Sequence, residues 1–346
     1  MAGGCRMIDN SRGSVLIFAS WLLILFVLFV TSMGYNARMR ARLVSRENEM
    51  SVMREKCLSA VSFARYVILN DSNPAVDSME DEWYNEIPLS ADVFPSRDLS
   101  ISVVDEESKL NINKANERML KVLFEELEVA YGSFHFEVEA FAEKIVGWRS
   151  LSSDKFEDFK LSDSTQAAEF ESLYELFLVE EGMSSEVFDI LKSYLTVYDN
   201  GETEIKINVN TAAKEVLYAV IMSAAGDERR KQEFFNQIML LRSLEFKTSD
   251  SGDESSAEDY PYFNETDLAP YDFLQRLNIS SDVIGVSLSI QLLQRFIVNS
   301  RIFNVSVIGS LKEGHGVYRV SAILGPSDNR SEDSCELDVL AWKENI

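Results

Sequence analysis

From Ser14 to Met33 the chain runs for twenty residues without a charge, inside the stretch RGSVLIFASWLLILFVLFVTSMGY (Arg12 to Tyr35). At 1.5 Å per residue this is the length that an α-helix needs to cross ~30 Å of hydrocarbon. A cleaved secretory signal has a shorter apolar core of ~7–15 residues followed by a small-x-small site. TSMGYNAR does not supply that site, so the pattern predicts a retained membrane-spanning helix.

Beyond it the period changes but remains helical. Leu43, Met50, Met53, Cys57, Ala60 or Val61, Ala64 and Val67 or Ile68 recur at threes, fours and sevens, while Arg46, Glu47, Glu49, Arg54, Glu55 and Arg65 take the other face. An amphipathic helix therefore continues the membrane helix to about residue 69 and ends at NDSNP. DLSISVV (98–104) alternates like a half-buried strand.

An internal repeat follows. KLNINKANERML begins at Lys109 and KINVNTAAKEVL at Lys206, aligned without a gap at an offset of 97 residues. In each copy a short extended piece leads into a helix. Asn113 and Asn210 are the expected N-caps, and Asn111 and Asn208 are expected to bond the local backbone. Further helices are expected at 138–148, at 170–182, after Ser184 as a cap, and at 231–244. SDSGDESSAED (249–259) reads as an acidic loop without the EF-hand spacing. RIFNVSVIGSL, GVYRVSAIL and CELDVLAWK close the chain as three β-like runs, an antiparallel meander that the strand near 99–104 can join.

The expected fold is therefore α+β: a long N-terminal helix packed on an antiparallel sheet, with a large all-α insertion of SAM-like or helix-hairpin-helix-like character. The expected boundaries are 14–35 for the membrane helix and 36–108 for the amphipathic helix and first strand. The inserted helical region is 109–285, and 286–346 holds the closing strands.

Composition narrows the chemistry. The 346 residues carry 57 acidic and 33 basic side chains, a formal net charge of −24. That is the wrong sign for a phosphate backbone, so no nucleic-acid partner is expected. No enzyme is expected either: the two histidines, His135 and His315, stand alone, and no nucleophile elbow, P-loop or Cys/His cluster occurs. Of the three cysteines, Cys57 and Cys335 form a candidate disulfide pair in an oxidising compartment, or else two separate thiols.

The first thirteen residues, MAGGCRMIDNSRG, are a short polar leader ending in Gly13. With the apolar run directly after it, the start resembles the type IV pilin and pseudopilin superfamily, whose prepilin peptidase cleaves after such a glycine. RGSVLIFASWLLIL, KLNIN, IVGWRS, ELFLVEEGMSSEVFDILKSYLTVY, KINVNTAAKEVL and the ending VLAWKEN together resemble the K-type minor pseudopilin of the type II secretion system, general secretion pathway protein K. The resemblance implies a leader of residues 1–13, cleavage between Gly13 and Ser14, and N-methylation of Ser14. It implies filament packing through Val15, Leu16, Ile17 and Phe18. It also implies a single-pass inner-membrane location, with the bulk of the chain periplasmic. This overrides the charge asymmetry, in which Arg38, Arg40, Arg42 and Arg46 outnumber Arg6 and Arg12.

Ordinary pilin subunits carry Glu as the fifth residue of the mature helix; here that position is Phe18. K-type subunits lack the Glu, and the resemblance implies a place at the tip of the pseudopilus, above the I and J types. Implied partners are those subunits, the rest of the pseudopilus, the inner-membrane assembly platform and the prepilin peptidase. The implied role is structural, in exporting folded proteins across the outer membrane. The alternative is a minor pilin of another type IV pilus-like filament. Calcium is a cofactor of some family members, but Trp148 and Arg149 lead here into SLSSDKFEDFKLSDSTQAAEF, not an acidic glycine-rich segment, so no ligands are assigned.

Overall fold

The computed structural model describes residues 11–89, 98–132, 134, 136–150, 169–199, 201–243, 260–311, 316–326 and 337–345. Helix α1 (Ser11–Leu69) is unbroken for 59 residues, so the apolar and amphipathic segments are one rod. Its apolar side chains from Val15 to Val30 are exposed among the described residues. Its later part buries Met53, Cys57, Ala60, Val61, Ala64 and Ile68. The small residues Cys57, Ala60 and Ala64 let the helix backbone approach the sheet closely.

The sheet has five strands in the order β1-β2-β7-β8-β9. These are β1 (Asn85–Ile87), β2 (Leu99–Asp105), β7 (Phe303–Ser310), β8 (Val317–Pro326) and β9 (Leu337–Asn345). Every pairing is antiparallel, and β2 runs against β7 from Leu99↔Gly309 to Asp105↔Phe303. The strand expected near 99–104 and the closing meander therefore do share one sheet. Period-two alternation puts Ile101, Val103, Val305, Val307, Val320, Ala322 and Leu324 under α1, in one core with Trp83 and Phe303. Ion pairs flank this packing: Arg54 with Glu344 at 3.1 Å, Arg65 with Asp338 and Lys56 with Asp98.

Between β2 and β7 the chain builds a second, helical unit with its own core. Its helices are α2 (Glu117–Tyr131), α3 (Val138–Ser150), α4 (Leu176–Val179), α5 (Ser185–Tyr194), α6 (Lys214–Ser223), α7 (Glu228–Arg242), α8 (Pro270–Arg276) and α9 (Val283–Leu293). Four two-residue strands join them in parallel pairs. β3 (Leu110–Asn111) lies on β4 (Leu195–Thr196), and β5 (Ile207–Asn208) lies on β6 (Phe296–Ile297).

Two expectations are corrected. The unit does not stop at 285: Leu288, Leu292, Phe296 and Val298 belong to its core, because β6 is needed to pair with β5. The helix expected over 170–182 is only a 3-10 turn (Leu173–Glu175) followed by the single turn of α4. Ser172 and Glu175 form a capping box that starts it late, and Gly182 adopts φ 93° just beyond its end. The expected loop 249–259 lies outside the described residues.

Candidate functional site

Val15, Leu16, Ile17 and Phe18 are 60–73% exposed, and the apolar stretch that follows is equally bare. This is the one described helix both long and apolar enough to cross a membrane. Gly13 and Ser14 lie in its first turns, and nothing further is assigned to them. Thr31 and Ser20 turn their hydroxyls onto carbonyls within the helix, Thr31 Oγ1 to Val27 O at 2.8 Å and Ser20 Oγ to Ile17 O at 2.8 Å. Such back-bonding hides the polar groups of an apolar surface. Among the described residues this is an exposed, charge-free helical face.

The repeated motif builds the centre of the helical unit. Asn111 Oδ1 accepts from Asn113 N at 2.8 Å, and Asn208 Oδ1 accepts from Asn210 N at 2.9 Å, the local turns expected of both. Asn113 and Asn210, in contrast, cap nothing. Asn113 Oδ1 accepts from Phe170 N at 2.8 Å while its Nδ2 donates to Phe170 O at 2.9 Å. Asn210 does the same with Phe263, at 2.8 and 3.0 Å.

Each asparagine thus mimics a strand neighbour for a segment more than fifty residues downstream. The cap of α2 is Asn116, whose side chain accepts from Met119 N. The matching residue of the second copy is Ala213, and α6 starts there without a side-chain cap. An amide that satisfies both groups of a distant residue outweighs a local cap at a buried position, where unpaired backbone groups are costly.

Where the helical unit meets the sheet, the chain crosses twice, outward at 105–109 and back at 298–302. Carboxylates crowd both crossings. Asp105, Glu106 and Glu107 are at most 6% exposed, and Asp77 is 5% exposed. Asp105 Oδ2 accepts from Thr211 Oγ1 and from Ser300 Oγ, the latter at 2.7 Å, and its other oxygen accepts from Glu107 N. Asp77 accepts from Ser300 N, and Glu107 from Arg301 N. Glu106 is paired with Lys109 at 2.6 Å.

Burial pushes the Asp77 carboxyl up to about 8, with Asp105, Asp81 and Asp71 adding to the rise against the Ser300 N–H. Burial likewise raises Asp105 to about 6 and, helped by Asp105, Glu107 to about 7. None of these residues was identified from the sequence. The isolated triplet DEE at a strand end gives no sign that it becomes covered.

Among the described residues, Asp71, Asp77 and Asp81 form the one group of three carboxylates close enough to share a cation. Trp83 Nε1 donates to Asp71, Ser300 N to Asp77, and Ser78 N and Oγ to Asp81. These contacts tie down the loop after α1, and no calcium ligand set is assigned to them. His135, His315 and Cys335 lie outside the described residues. Cys57 is a free cysteine, fully buried under the sheet, with its thiol pushed up to about 11 by that burial.

A cleft of about 400 Å³ separates the helical unit from the outer face of the sheet, with Lys109, Tyr174, Phe188, Lys192, Ile323 and Lys343 among its walls. Lys343 closes across its mouth, donating to Tyr174 Oη at 2.7 Å and standing over the tyrosine ring.

A single-rod helix on a five-stranded antiparallel sheet, interrupted by a helical unit built on a repeated turn, defines a pilin-like α+β protein. In particular, it resembles the GspK pseudopilin fold. It is similar to a chain in the crystal structure of the GspK–GspI–GspJ complex from the enterotoxigenic Escherichia coli type 2 secretion system. The TM-score is 0.53 over 88% of this chain and 99% of that one, at 14% sequence identity. No protein-family model and no curated protein matches the sequence.

Proposed function

We propose that this chain is a minor pseudopilin of a type II secretion system, a structural subunit and not an enzyme. The observation that carries the reading is α1: one continuous helix whose apolar N-terminal part is uncovered and whose C-terminal part is built into a folded head. The whole-chain likeness to a member of the GspK–GspI–GspJ complex supports it.

On this reading prepilin peptidase cleaves after Gly13, Ser14 is N-methylated, and α1 holds the chain in the inner membrane with its head in the periplasm. Val15, Leu16, Ile17 and Phe18 pack against neighbouring subunit helices. An apolar Phe18 at the fifth mature position removes a carboxylate that lipid would penalise. It suits a terminal subunit above the I and J types, capping a filament that pushes folded proteins through the outer membrane. The assembly platform is a further partner.

Intact mass and the N-terminal peptide of the membrane-extracted protein test this, in a host with its own prepilin peptidase. The expected chain begins at methylated Ser14, and a Gly13→Asp variant keeps its leader and fails to support secretion. A chain still beginning at Met1 beside an active peptidase removes the pilin pathway. Co-purification with I- and J-type subunits separates the secretion reading from a minor pilin of another filament.

A further inference from the structure

The cleft between the helical unit and the sheet has an apolar interior. Phe188 and Leu195 come from the helical unit, Ile323 from β8, and Ala341 and Trp342 from β9. Phe188, Leu195 and Ile323 are buried, yet they still bound about 400 Å³ of space. That is the small end of the range for binding pockets, ~300–1,000 Å³, with room for one large side chain and its flanking backbone. The polar groups deeper in are satisfied among themselves. Glu106 accepts from Lys109 Nζ at 2.6 Å and from Asn304 Nδ2 at 3.0 Å, and Ser321 Oγ donates to Asn304 Oδ1 at 2.9 Å. A guest inside therefore gains from apolar burial and finds no open charge.

The mouth is cationic. Lys192, in the last turn of α5, and Lys343, on β9, both line it. Among the described residues neither has a carboxylate partner. Lys343 Nζ donates to the phenol of Tyr174 at 2.7 Å and stands 4.4 Å from the centre of its ring, while Lys192 makes no hydrogen bond. The hydrogen bond from Lys343 leads in holding the Tyr174 phenol below its usual value; the charges of Lys343 and Lys192 add to it, and burial and Asp189 oppose it. The two ammoniums thus act at one place. Each carries three donors, so Lys343 keeps two to offer. In a chain of net charge −24, such a pair suits an anion brought from outside. Strand β9 is the last of the sheet, and no described strand lies on its outer edge. The mouth therefore opens beside open strand backbone, where an extended chain fits better than a free small acid.

We propose that this cleft receives an acidic peptide segment of another protein chain, with one large apolar or aromatic side chain in the pocket and its flanking carboxylates on Lys192 and Lys343. The peptide carboxylate replaces the Tyr174 hydroxyl as the acceptor for Lys343, and a charged acceptor makes the stronger bond. Tyr174 holds the ammonium in place until then and leaves room as it turns aside. The site does not depend on the functional reading above.

The test is fluorescence anisotropy with the full chain in a neutral detergent, with empty micelles as the blank. The probe is the rhodamine-labelled peptide Gly-Ser-Asp-Phe-Glu-Ser-Gly amide. It should bind saturably, and binding should weaken about tenfold when its Phe becomes Ala, or when its Asp and Glu become Asn and Gln. Lys192→Met and Lys343→Met should each weaken it about two- to fivefold, the range for one partly exposed charge pair. Raising NaCl from about 50 to about 500 mM should weaken the acidic probe and leave the neutral one unchanged. Lys214→Met, on α6 and outside the cleft, should bind as the wild type does. No saturation by about 1 mM wild-type chain overturns the site. So does equal binding of the neutral probe, and neither result needs a variant to fold. A double variant, Lys192→Met with Lys343→Met, that binds the acidic probe unchanged overturns it as well.

Discussion

Asn210 holds both backbone groups of Phe263, accepting from its N–H and donating to its carbonyl, with all of these atoms buried. Removing the side chain strands two backbone groups in a core that water does not reach. Asn210→Ala is expected to cost about 2–6 kcal/mol, from ~1–3 per unsatisfied buried group. Urea unfolding of the head, followed by circular dichroism, measures it. Asn113→Ala strands Phe170 in the same way but in a half-buried setting, and should cost less.

Lys231 is completely buried on α7, with its ammonium given to the carbonyls of Met222 and Ala224 and to Glu228. It serves as a cationic cap for the end of α6. Lys231→Met keeps the stem and removes the donors, so a loss of about 1.5–3 kcal/mol is expected. The comparison is with Lys214→Met, whose side chain is 68% exposed and should change the urea midpoint little.

Ala60 lies fully buried on α1, in the core between helix and sheet. Ala60→Leu adds three carbons to a filled space, and about 1–3 kcal/mol of overpacking is expected. Val44→Leu, on the exposed part of the same helix, should leave the head's unfolding unchanged. If Ala60→Leu also leaves it unchanged, the helix does not lie on the sheet in solution.

Glu344 receives bonds from Tyr318, Arg54 and Trp342, and these hold its carboxyl down at about 2. The sign follows from a depressed folded value: the contribution is present above the usual carboxylate range and is lost as pH falls from about 4.5 to about 2. Glu344→Gln should therefore lose less stability than the wild type between pH 5 and pH 3, read from thermal midpoints. Because the pair with Arg54 is near the surface, 1 M salt should narrow the difference.

Local patterns made much of this architecture legible. The apolar run, the threes and fours of residues 43–68 and the alternation at 99–104 and after 302 depend on neighbours in sequence, and each became the expected element. Ser184 capped α5 as a serine before a helix should. The gap-free repeat at 109 and 206 correctly marked two equivalent turns.

What remained hidden were the partners. Nothing local tells that Asn113 prefers Phe170 to its own helix, or that Asn116 is the cap in one copy while Ala213 leaves the other copy bare. The boundary at 285 failed for a related reason. Helix α9 has no charge to mark it as the edge of a unit, and β6 becomes a strand only because β5 is waiting for it. The carboxylate joint was invisible because Asp77, Asp105 and Glu107 become neighbours only after three segments meet.

The sheet is discontinuous in sequence. Glu106, just after β2, and Asn304 of β7 are hydrogen-bonded and 198 residues apart. Closing a flexible loop of that size costs about 5 kcal/mol in chain entropy beyond the constant term. The helical unit removes most of that cost if it forms first, since its parallel pairs deliver the return crossing beside the outward one. Folding then has an order: the insertion collapses around its own core, its two ends emerge together, and the strands on either side zip onto α1. A head that matures in this sequence leaves its edge strands exposed only briefly, and the insertion works as a built-in template for the domain that contains it.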